Sequence, residues 1–372
     1  MATHELISVD DHIIEHPRVW LDRAPDSIAD RVPQIVEEGN REVWRYDGAT
    51  STNVGLNAVA GKDPSEYGME PARFSEMRPG CYNIADRIKD MDLDGVKAQL
   101  CFGSYGGFVG RTFLEGSDKE LGLWCIQAYN DYILDEWCAY APGRQIPLMT
   151  LPLWDVELAV YEARRTAEKG AKALSFSENP AHLGLPTWHK GYWDPLFAFA
   201  EESGIPLCLH IGSSGNVPKP SKPSSQATWV VLTPSNSMSA ATDLVFSEVF
   251  FKFPGLKVAL SEGGVGWVPN WLERCEWVYD RHRFWTKINA DIRPTELFQR
   301  NIWVCCIDDR FGIEMRQRIG VDKIMWECDY PHSDSLWPKS QDTVKAMLRG
   351  VPEDEARLIR SENARRLFNF WS

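Results

Sequence analysis

The stretch KIMWECDYPH at residues 323–332 places a carboxylate and an imidazole directly after a continuous apolar run. Similar apolar runs end in an imidazole alone in PLCLH at 206–210, and in carboxylates and an imidazole in LISVDDH at 6–12. Continuous apolar runs are typical of parallel strands that are covered on both faces, whereas half-exposed strands alternate. Because the carboxyl ends of parallel strands meet at one edge, these three runs predict a shared edge that carries Asp and His.

Five further apolar runs lie between these three, and helical patterns separate them. The eight candidate strands are Leu6–Asp10, Lys97–Gly103, Gln145–Leu151, Ala171–Phe176, Pro206–His210, Leu256–Ser261, Ile302–Cys306 and Lys323–Cys328. The candidate helices are Lys119–Tyr140, Val156–Lys169, Asp194–Ser203, Ala240–Phe251, Val268–Trp285, Arg310–Arg318, Ser340–Arg349 and Glu353–Asn369. Eight strands that alternate with helices predict an α/β protein with a (β/α)8 TIM barrel. The alternative, an open doubly wound sheet, is disfavoured because no Gly-x-Gly-x-x-Gly follows the first strand.

The segment from residue 11 to residue 95 is longer than a barrel needs between its first two strands. A barrel takes about 250 residues, whereas this chain has 372. Little periodicity is visible in the segment, and we predict a long insertion that covers the mouth of the barrel. No internal repeat or low-complexity segment divides the chain, so a single domain over residues 1–372 is predicted.

The composition excludes several classes of protein. Lys and Arg number 40 against 53 Asp and Glu, which gives a formal net charge of −13. Such an acidic chain lacks the basic face that nucleic acid or an anionic membrane requires. No apolar stretch has the length of a membrane span, and the amino-terminal residues do not have the pattern of a signal peptide. The nine cysteines are scattered without a C-x-x-C pair, so a reduced, cytoplasmic protein is predicted.

Four side chains at the predicted strand ends form a candidate metal site. They are Asp10, His12, His210 and Asp329. Asp10 and His12 are two residues apart on an extended strand and therefore point to the same face. Mixed imidazole and carboxylate ligands suit a catalytic divalent ion, for which zinc is the first candidate and manganese the second. Three or four protein ligands leave a position open for water or substrate, and Asp329 is also placed to exchange a proton.

These motifs resemble the amidohydrolase superfamily. The resemblance rests on DDHIIE at 10–15, LCLHIGSSG at 207–215 and CDYPH at 328–332, and it extends over nearly the whole chain. More narrowly, the chain is similar to the amidohydrolase 2 branch, which includes aminocarboxymuconate semialdehyde decarboxylase and related decarboxylases and hydrolases. The resemblance implies one metal ion per subunit, because the fourth strand does not end in the lysine that bridges two ions in other members.

Two positions depart from the family pattern. Asp10 stands where other members have His or Glu, and Glu262 ends the sixth strand where the decarboxylases of this branch have His. We place Glu262 with Asp329 and His332 as the catalytic residues, because a buried carboxyl group with a raised pKa can act as general acid or base. For His332 there are two alternatives, which are orienting the substrate and bonding the backbone after Pro331.

Five further side chains receive predicted roles around the metal. Glu15 either holds a ligand from behind or pairs with an arginine of the insertion, and Glu178 either supports the site or lies in a solvated loop. The guanidinium group of Arg45 matches a substrate carboxylate, with an exposed salt bridge as its alternative. Trp267 and Trp337 follow strands six and eight and are predicted to line an aromatic pocket for a flat substrate.

The function that fits these residues best is non-oxidative decarboxylation of an aromatic or unsaturated carboxylic acid. In that reaction Asp329 protonates the carbon that carbon dioxide leaves. The alternative is a hydrolase in which Asp329 deprotonates a water that attacks a lactone, an amide or a ring-cleavage product. A second alternative is a non-catalytic barrel, which predicts no bound metal. The expected partner is a small molecule, and the many aromatic residues favour a homodimer or larger homo-oligomer.

Overall fold

The structure is a computed structural model that describes residues 4–371. Its strands, in chain order, are β1 (Leu6–Ile13), β2 (Gln34–Glu38), β3 (Arg41–Tyr46), β4 (Ala49–Ser51), β5 (Val96–Gly103), β6 (Gln145–Ile146), β7 (Leu148–Met149), β8 (Ala173–Ser177), β9 (Leu207–His210), β10 (Val258–Ser261), β11 (Ile302–Cys306) and β12 (Ile324–Trp326). All except β2, β3 and β4 run parallel to their neighbours. Each of the eight candidate strands is found, with β6 and β7 together forming the third. The predicted α/β, TIM-barrel-like fold is therefore confirmed.

The parallel ladder has two hydrogen-bonded parts. One has the order β1-β5-β6, and the other has the order β12-β11-β10-β9-β8-β7. Pro147 lies between β6 and β7 and has no N–H to donate, so the predicted third strand is interrupted there. The carbonyl of Pro147 still accepts a hydrogen bond from the N–H of Ala173 at 3.1 Å. This bond keeps the interrupted strand beside β8.

The first and last parallel strands lie side by side. The N–H of Asp329 donates to the carbonyl of Asp10 at 2.8 Å, and the N–H of His12 donates to the carbonyl of Tyr330 at 2.6 Å. Both bonds involve residues just beyond β12. They bring three of the predicted functional residues of the two chain ends into one place.

The helices surround the parallel strands. In chain order they are α1 (Ile84–Asp94), α2 (Arg111–Glu115), α3 (Lys119–Tyr132), α4 (Cys138–Tyr140), α5 (Val156–Glu168), α6 (Asp194–Ser203), α7 (Gln226–Leu232), α8 (Ser235–Val245), α9 (Val249–Lys252), α10 (Val268–Thr286), α11 (Pro294–Asn301), α12 (Arg310–Glu314), α13 (Arg316–Ile319), α14 (Ser340–Met347), α15 (Glu353–Arg357) and α16 (Asn363–Leu367). Single π turns at Ile133–Trp137 and Leu358–Glu362 join α3 to α4 and α15 to α16, so both long predicted helices are continuous. The helix predicted over 240–251 begins earlier and breaks between α8 and α9.

The insertion after β1 is shorter than predicted, because its last 11 residues form α1. Asn83 begins this helix by accepting a hydrogen bond from the N–H of Asp86 at 3.2 Å, and Gly95 ends it with a φ of 73°. The helix precedes β5 directly, as in a βαβ unit. These two capping residues are the sequence signal that distinguishes α1 from the irregular segment before it.

The rest of the insertion contains a small antiparallel sheet in the order β2-β3-β4. Trp44 of this sheet is buried and stacks on Tyr105, with ring centroids 4.4 Å apart. Trp20 packs edge-on against Trp44 at 5.7 Å. Aromatic pairs of this kind add about 0.5–1.5 kcal/mol beyond the area that they bury. They attach the insertion to the loop that follows β5.

Among residues 4–371, no helix combines the length and the apolar character that crossing a membrane requires. All nine cysteines are unpaired, and all except Cys138 are buried. Buried thiols of this kind pack as small apolar side chains.

Candidate metal centre and active site

The ends of β1, β9 and β12 bring the four predicted metal ligands together. The Nε2 of His12 lies 3.1 Å from the Oδ1 of Asp329 and 3.6 Å from the Oδ1 of Asp10. The Nε2 of His210 lies 3.2 Å from the Oδ2 of Asp10 and 3.3 Å from the Nε2 of His12. All four side chains are buried. Two carboxyl groups and two imidazoles thus direct their ligand atoms at one small volume.

This cluster fits a divalent cation. The Nδ1 of His210 faces the carbonyl of Ile211 at 2.6 Å and must donate to it, so the Nε2 presents a lone pair to the cluster. Burial, and then the neighbouring His332, lower the pKa of His12, which favours its neutral imidazole as well. Both carboxylate oxygens of Asp10 and of Asp329 lack a hydrogen-bond partner. A bound cation satisfies such buried atoms, whose desolvation is otherwise costly.

The two ligand carboxyl groups have opposite pKa shifts. Burial, followed by repulsion from Asp329 and Asp11, raises the pKa of Asp10 well above its usual value. Burial also acts to raise the pKa of Asp329, but the imidazoles of His332 and His12 outweigh it, and the resulting pKa lies below the usual range. Asp329 is therefore the carboxyl group that stays ionised most readily.

Glu262 and Asp329 both adopt the left-handed backbone region directly after their strands, with φ of 58° and 62°. This region disfavours residues that carry a Cβ, and residues held there are concentrated at functional sites. The N–H of Glu262 donates to the Oε2 of Glu327 at 3.1 Å, and the N–H of Tyr330 donates to the Oδ1 of Asp11 at 2.8 Å. Asp11 and Glu327, which have no predicted role, thus fix the two turns that present Glu262 and Asp329.

Arg87 supports the first ligand strand from behind. It is fully buried on α1, its Nη2 donates to the carbonyl of His12 at 2.5 Å, and its Nε donates to the carbonyl of Gly80 at 2.6 Å. Its guanidinium group lies over the ring of Tyr330 at 4.3 Å, and the carboxyl group of Asp11 attracts it. One buried cation therefore connects the backbone of a predicted ligand with the insertion and with the turn after β12.

The substitution Arg87→Met should lower the free energy of unfolding by about 2–5 kcal/mol, because it leaves the buried carbonyls of His12 and Gly80 without their donor. Urea unfolding followed by tryptophan fluorescence measures the difference. Arg310→Met is the control, because its side chain is 68% exposed, and it should change the free energy by less than about 0.5 kcal/mol. An effect of Arg87→Met as small as that of the control would contradict the supporting role.

Glu262 and His332 complete the ring of polar groups around the predicted ion. The Oε2 of Glu262 lies 3.2 Å from the Nε2 of His210. The Nδ1 of His332 lies 3.2 Å from the Oδ1 of Asp329, and its ring stacks on His12 with centroids 3.6 Å apart. The Nε2 of His332 has no hydrogen-bond partner, and the residue lines the cavity described below. For His332 this geometry favours a role towards substrate over a bond to the backbone.

Glu15 acts on the site through the loop that follows β5. Its carboxylate accepts hydrogen bonds from the N–H of Tyr105 at 2.7 Å and of Gly106 at 3.2 Å. The same loop carries Phe108, whose ring centroid lies 4.0 Å from that of His210. Glu15 therefore holds this loop rather than a ligand or an arginine, which corrects the prediction. The physical reason is that buried backbone donors require acceptors, and the carboxylate supplies them.

The substitution Glu15→Gln should flatten the pH dependence of stability. Burial raises the pKa of Glu15 from 4.5 to about 7, although the backbone N–H groups oppose the shift. The folded state therefore binds the proton more tightly, and this contribution to stability is complete below pH 4.5 and is lost as the pH rises through 7. Between pH 5 and pH 8 the wild type should lose about 2–3 kcal/mol more than the variant, measured by urea unfolding. Equal losses in the two proteins would contradict the shift.

Glu178 holds the loop that follows β9. Its Oε2 accepts from the N–H of Ser214 at 2.8 Å, its Oε1 accepts from the hydroxyl of Ser214 at 2.6 Å, and the hydroxyl of Ser213 also donates to it. The side chain is buried, which excludes the alternative of a solvated loop position. Because this loop begins directly after His210, Glu178 fixes the backbone beside a predicted ligand.

Three side chains that are predicted to bind substrate lie elsewhere. Arg45 is exposed on β3, because its neighbours Trp44 and Tyr46 point inward and successive side chains of a strand point to opposite faces. The Nε1 of Trp267 donates to the carbonyl of Gly263 at 2.9 Å, and the Nε1 of Trp337 donates to the carbonyl of Asp90 at 3.0 Å. Each indole is thus held by a backbone acceptor, and none of the three residues is part of the cavity wall.

An open cavity of about 430 Å³ lies at the predicted metal site and has Asp329 and His332 in its wall. Its apolar residues come from the insertion, from α7 and from the loops after β5 and β9. They include Val54, Leu56, Met69, Phe108, Ile211, Trp229 and Val230. Residues of the insertion thus form part of the cavity wall, and Trp229 supplies an aromatic surface in place of the predicted Trp267 and Trp337.

Comparison of the sequence with known proteins identifies the family of this chain. Residues 47–370 match the family model described as Amidohydrolase. A 2-amino-3-carboxymuconate-6-semialdehyde decarboxylase of Dictyostelium discoideum is 25% identical over 263 residues, which are 69% of this chain and 69% of the relative. The protein of the same name in Caenorhabditis elegans is 23% identical and aligns with 51% of this chain and 57% of its own length.

Solved structures share the fold over the whole chain. An amidohydrolase of Mycobacterium avium subsp. paratuberculosis has a TM-score of 0.76 at 22% identity and covers 99% of this chain and 100% of its own. A 5-carboxyvanillate decarboxylase of Sphingomonas paucimobilis has a TM-score of 0.66 at 19% identity, covering 98% and 99%. A dihydroxybenzoic acid decarboxylase of Polaromonas sp., with bound manganese and 2-nitroresorcinol, has a TM-score of 0.66 at 17% identity, covering 98% and 97%. The family match spans most of the sequence, the predicted resemblance is confirmed, and the chain belongs to the amidohydrolase family.

Proposed function

We propose that this chain is a metal-dependent enzyme that removes carbon dioxide, without oxidation, from an aromatic or unsaturated carboxylic acid. The observation that carries the proposal is the cluster of buried, unpartnered ligand atoms beside a cavity with an apolar wall. The curated relatives and two of the compared structures are decarboxylases, which supports the same reaction class.

One divalent ion is proposed per chain, held by Asp10, His12, His210 and Asp329. Such an ion supplies a positive charge that binds an oxygen of the substrate and stabilises negative charge in the transition state. Zinc and manganese are the two candidates, since both accept mixed nitrogen and oxygen ligands. Manganese gains support from the Polaromonas decarboxylase, which contains it. To distinguish zinc from manganese, the metal-free protein is reconstituted with each ion and its turnover is measured.

Side chains of the protein orient the substrate and transfer the proton. The apolar wall, including Phe108 and Trp229, orients a flat substrate and excludes water. When the bond to the departing carboxylate breaks, its electron pair stays on the substrate carbon, which then takes a proton. His332 and Glu262 face the cavity and are the proposed proton carriers. Because the pKa of Asp329 is lowered by the facing imidazoles, its proposed role is to hold and polarise His332 rather than to donate the proton itself.

The test is a product assay on the metal-loaded protein. Hydroxybenzoates and dienoic acids are incubated and the headspace carbon dioxide is measured, while a parallel set of lactones and anilides is assayed for hydrolysis. We expect carbon dioxide from at least one acid and none after chelation of the metal. Turnover of a lactone or anilide without carbon dioxide from any acid would instead establish the hydrolase alternative. No turnover and no metal dependence in either set would favour a non-catalytic barrel.

We further propose a cytoplasmic homodimer. The support for the dimer is the exposed aromatic surface near the end of α10, where Trp277, Phe284 and Trp285 are 51%, 77% and 70% exposed. Exposed apolar patches of this kind are typical of interaction sites. Light scattering after size exclusion should give twice the chain mass, whereas a monomer at micromolar concentration would contradict the dimer.

A further inference from the structure

The charged side of the cavity consists almost entirely of carboxyl groups. Acids after β10, β11 and β12 contribute to the wall, and no Lys or Arg is among the cavity-lining residues of the described chain. These acids are Glu262, Asp308, Asp309, Glu327, Asp329 and Asp334. Arg45, the predicted anchor for a substrate carboxylate, lies outside the cavity, on the exposed face of β3. Apart from a metal ion and the imidazole of His332 beside Asp329, the wall therefore offers an anionic substrate group no cationic side chain.

Two of these acids already interact with other groups of the protein. The Oδ2 of Asp309 accepts hydrogen bonds from the N–H groups of Val265 and Gly266 at 2.8 and 2.6 Å, so this carboxylate is already bound to the backbone. Asp308 lies 3.7 Å from the guanidinium group of Arg310, whose side chain is 68% exposed to solvent. A pair this exposed contributes little, and water competes for it.

Other carboxyl oxygens in the wall have no partner. The Oε1 of Glu327 has no hydrogen-bond partner, although the residue is only 1% exposed and lines the cavity. Asp334 is an exposed residue of the same wall and faces the like charge of Asp329. A buried acceptor without a donor is costly unless a ligand or water supplies one. The wall thus presents acceptors that a donor on the substrate satisfies.

Coulomb interaction decides which substrates suit this wall. The reacting carboxylate of a substrate is compensated by the metal, but a second carboxylate on the same molecule that lies near Asp308 and Asp334 faces like charges. Two like charges about 4 Å apart cost roughly 1 kcal/mol in water and about 4 kcal/mol at the effective dielectric near a protein surface. A protonated amine at the same position gains an interaction of the opposite sign. Rejection of the wrong charge is an established source of specificity.

We propose that the substrate is a monocarboxylic acid that carries a basic nitrogen away from the reacting carboxylate, and that dicarboxylic acids are rejected. This inference rests on the proposed function, because the same cavity must hold the reacting acid. The apolar wall receives the flat part of the molecule, and the carboxyl groups of Glu327, Asp308 and Asp334 receive the nitrogen. The substrate class therefore differs from those of relatives whose names specify a second carboxyl group.

The test compares three probes that differ in one group. Each is a 2-hydroxybenzoate with an aminomethyl, a methyl or a carboxylate group para to the reacting carboxylate, and binding to the metal-loaded protein is measured by calorimetry. We expect the aminomethyl probe to bind at least about tenfold more tightly than the methyl probe, and the dicarboxylate at least about tenfold more weakly. Any other order of the three affinities would overturn the proposal.

Variants that remove a charge from the cavity wall test whether the wall causes the preference for the aminomethyl probe. Asp334→Asn and Asp308→Asn should each reduce the affinity ratio of the aminomethyl to the methyl probe, while the exposed Asp26→Asn should leave it at the wild-type value. Retained binding of the methyl probe shows that each variant is folded. A wild-type ratio in both wall variants would overturn the proposal. Calorimetry measures binding and does not require turnover. If no acid releases carbon dioxide, the proposed function is contradicted, but the order of the three affinities still tests the present proposal.

Discussion

The variant His210→Ala is expected to purify without its metal and to lose turnover. The Nε2 of His210 is within 3.3 Å of both Asp10 and His12, and its Nδ1 is committed to the carbonyl of Ile211. Changes to groups behind metal ligands already lower metal affinity 10- to 100-fold, so loss of a ligand should lower it at least about 100-fold. Plasma mass spectrometry after dialysis measures the metal content, and titration with zinc and with manganese measures the affinity.

The matched control is His189→Ala. His189 is an exposed histidine whose Nε2 lies 2.7 Å from a carboxylate of Asp243, outside the cavity wall. This variant should keep one ion per chain and wild-type turnover. If His210→Ala retains the wild-type metal content and affinity, the assignment of this imidazole as a ligand is wrong. If the two variants lose metal equally, the loss does not originate at the buried cluster.

The variant Asp329→Asn is expected to lose about 10²- to 10⁴-fold in turnover while it keeps much of its metal. Asparagine retains the shape and one carbonyl oxygen, but it removes the charge that faces the Nε2 of His12 and the Nδ1 of His332. His332 then loses the charge that lies 3.2 Å from its Nδ1 and polarises its ring. Initial rates at saturating metal and substrate measure the effect, and metal analysis on the same sample separates turnover from metal loss.

Asp26→Asn, at an exposed carboxylate outside the cavity wall, is the control for Asp329→Asn and should match the wild type. If Asp329→Asn turns over within about tenfold of the wild type, this carboxylate takes no part in the reaction. Complete loss of the metal would instead make it chiefly a ligand. The same comparison in His332→Gln should show a loss of similar size with full metal content.

The parallel strands follow from the sequence because each is a continuous apolar run. β9 at Leu207–His210 and β12 at Ile324–Trp326 lie within the predicted runs, and His210 and Asp329 appear where those runs meet polar residues. A polar side chain at that point can only lie at the edge of the sheet. Asp10 and His12 meet for the related reason that extended residues two apart share a face.

Residues on loops could not be placed in this way, because the path of a loop depends on tertiary contacts. Phe108 approaches the ligands only because Glu15 binds the backbone of its loop, and Trp229 reaches the cavity through α7. Arg45 matched a carboxylate chemically, but the alternation of β3 turns it to solvent. Asp11 did carry a signal, since an acid within a buried strand requires a partner.

Anomalous diffraction tests whether one divalent ion is held by the buried cluster at the ends of β1, β9 and β12. Crystals of the manganese-loaded protein are measured on both sides of the manganese absorption edge. We expect a single strong peak enclosed by the side chains of Asp10, His12, His210 and Asp329. A cluster without a peak, or a peak whose ligands lie elsewhere on the chain, would contradict it.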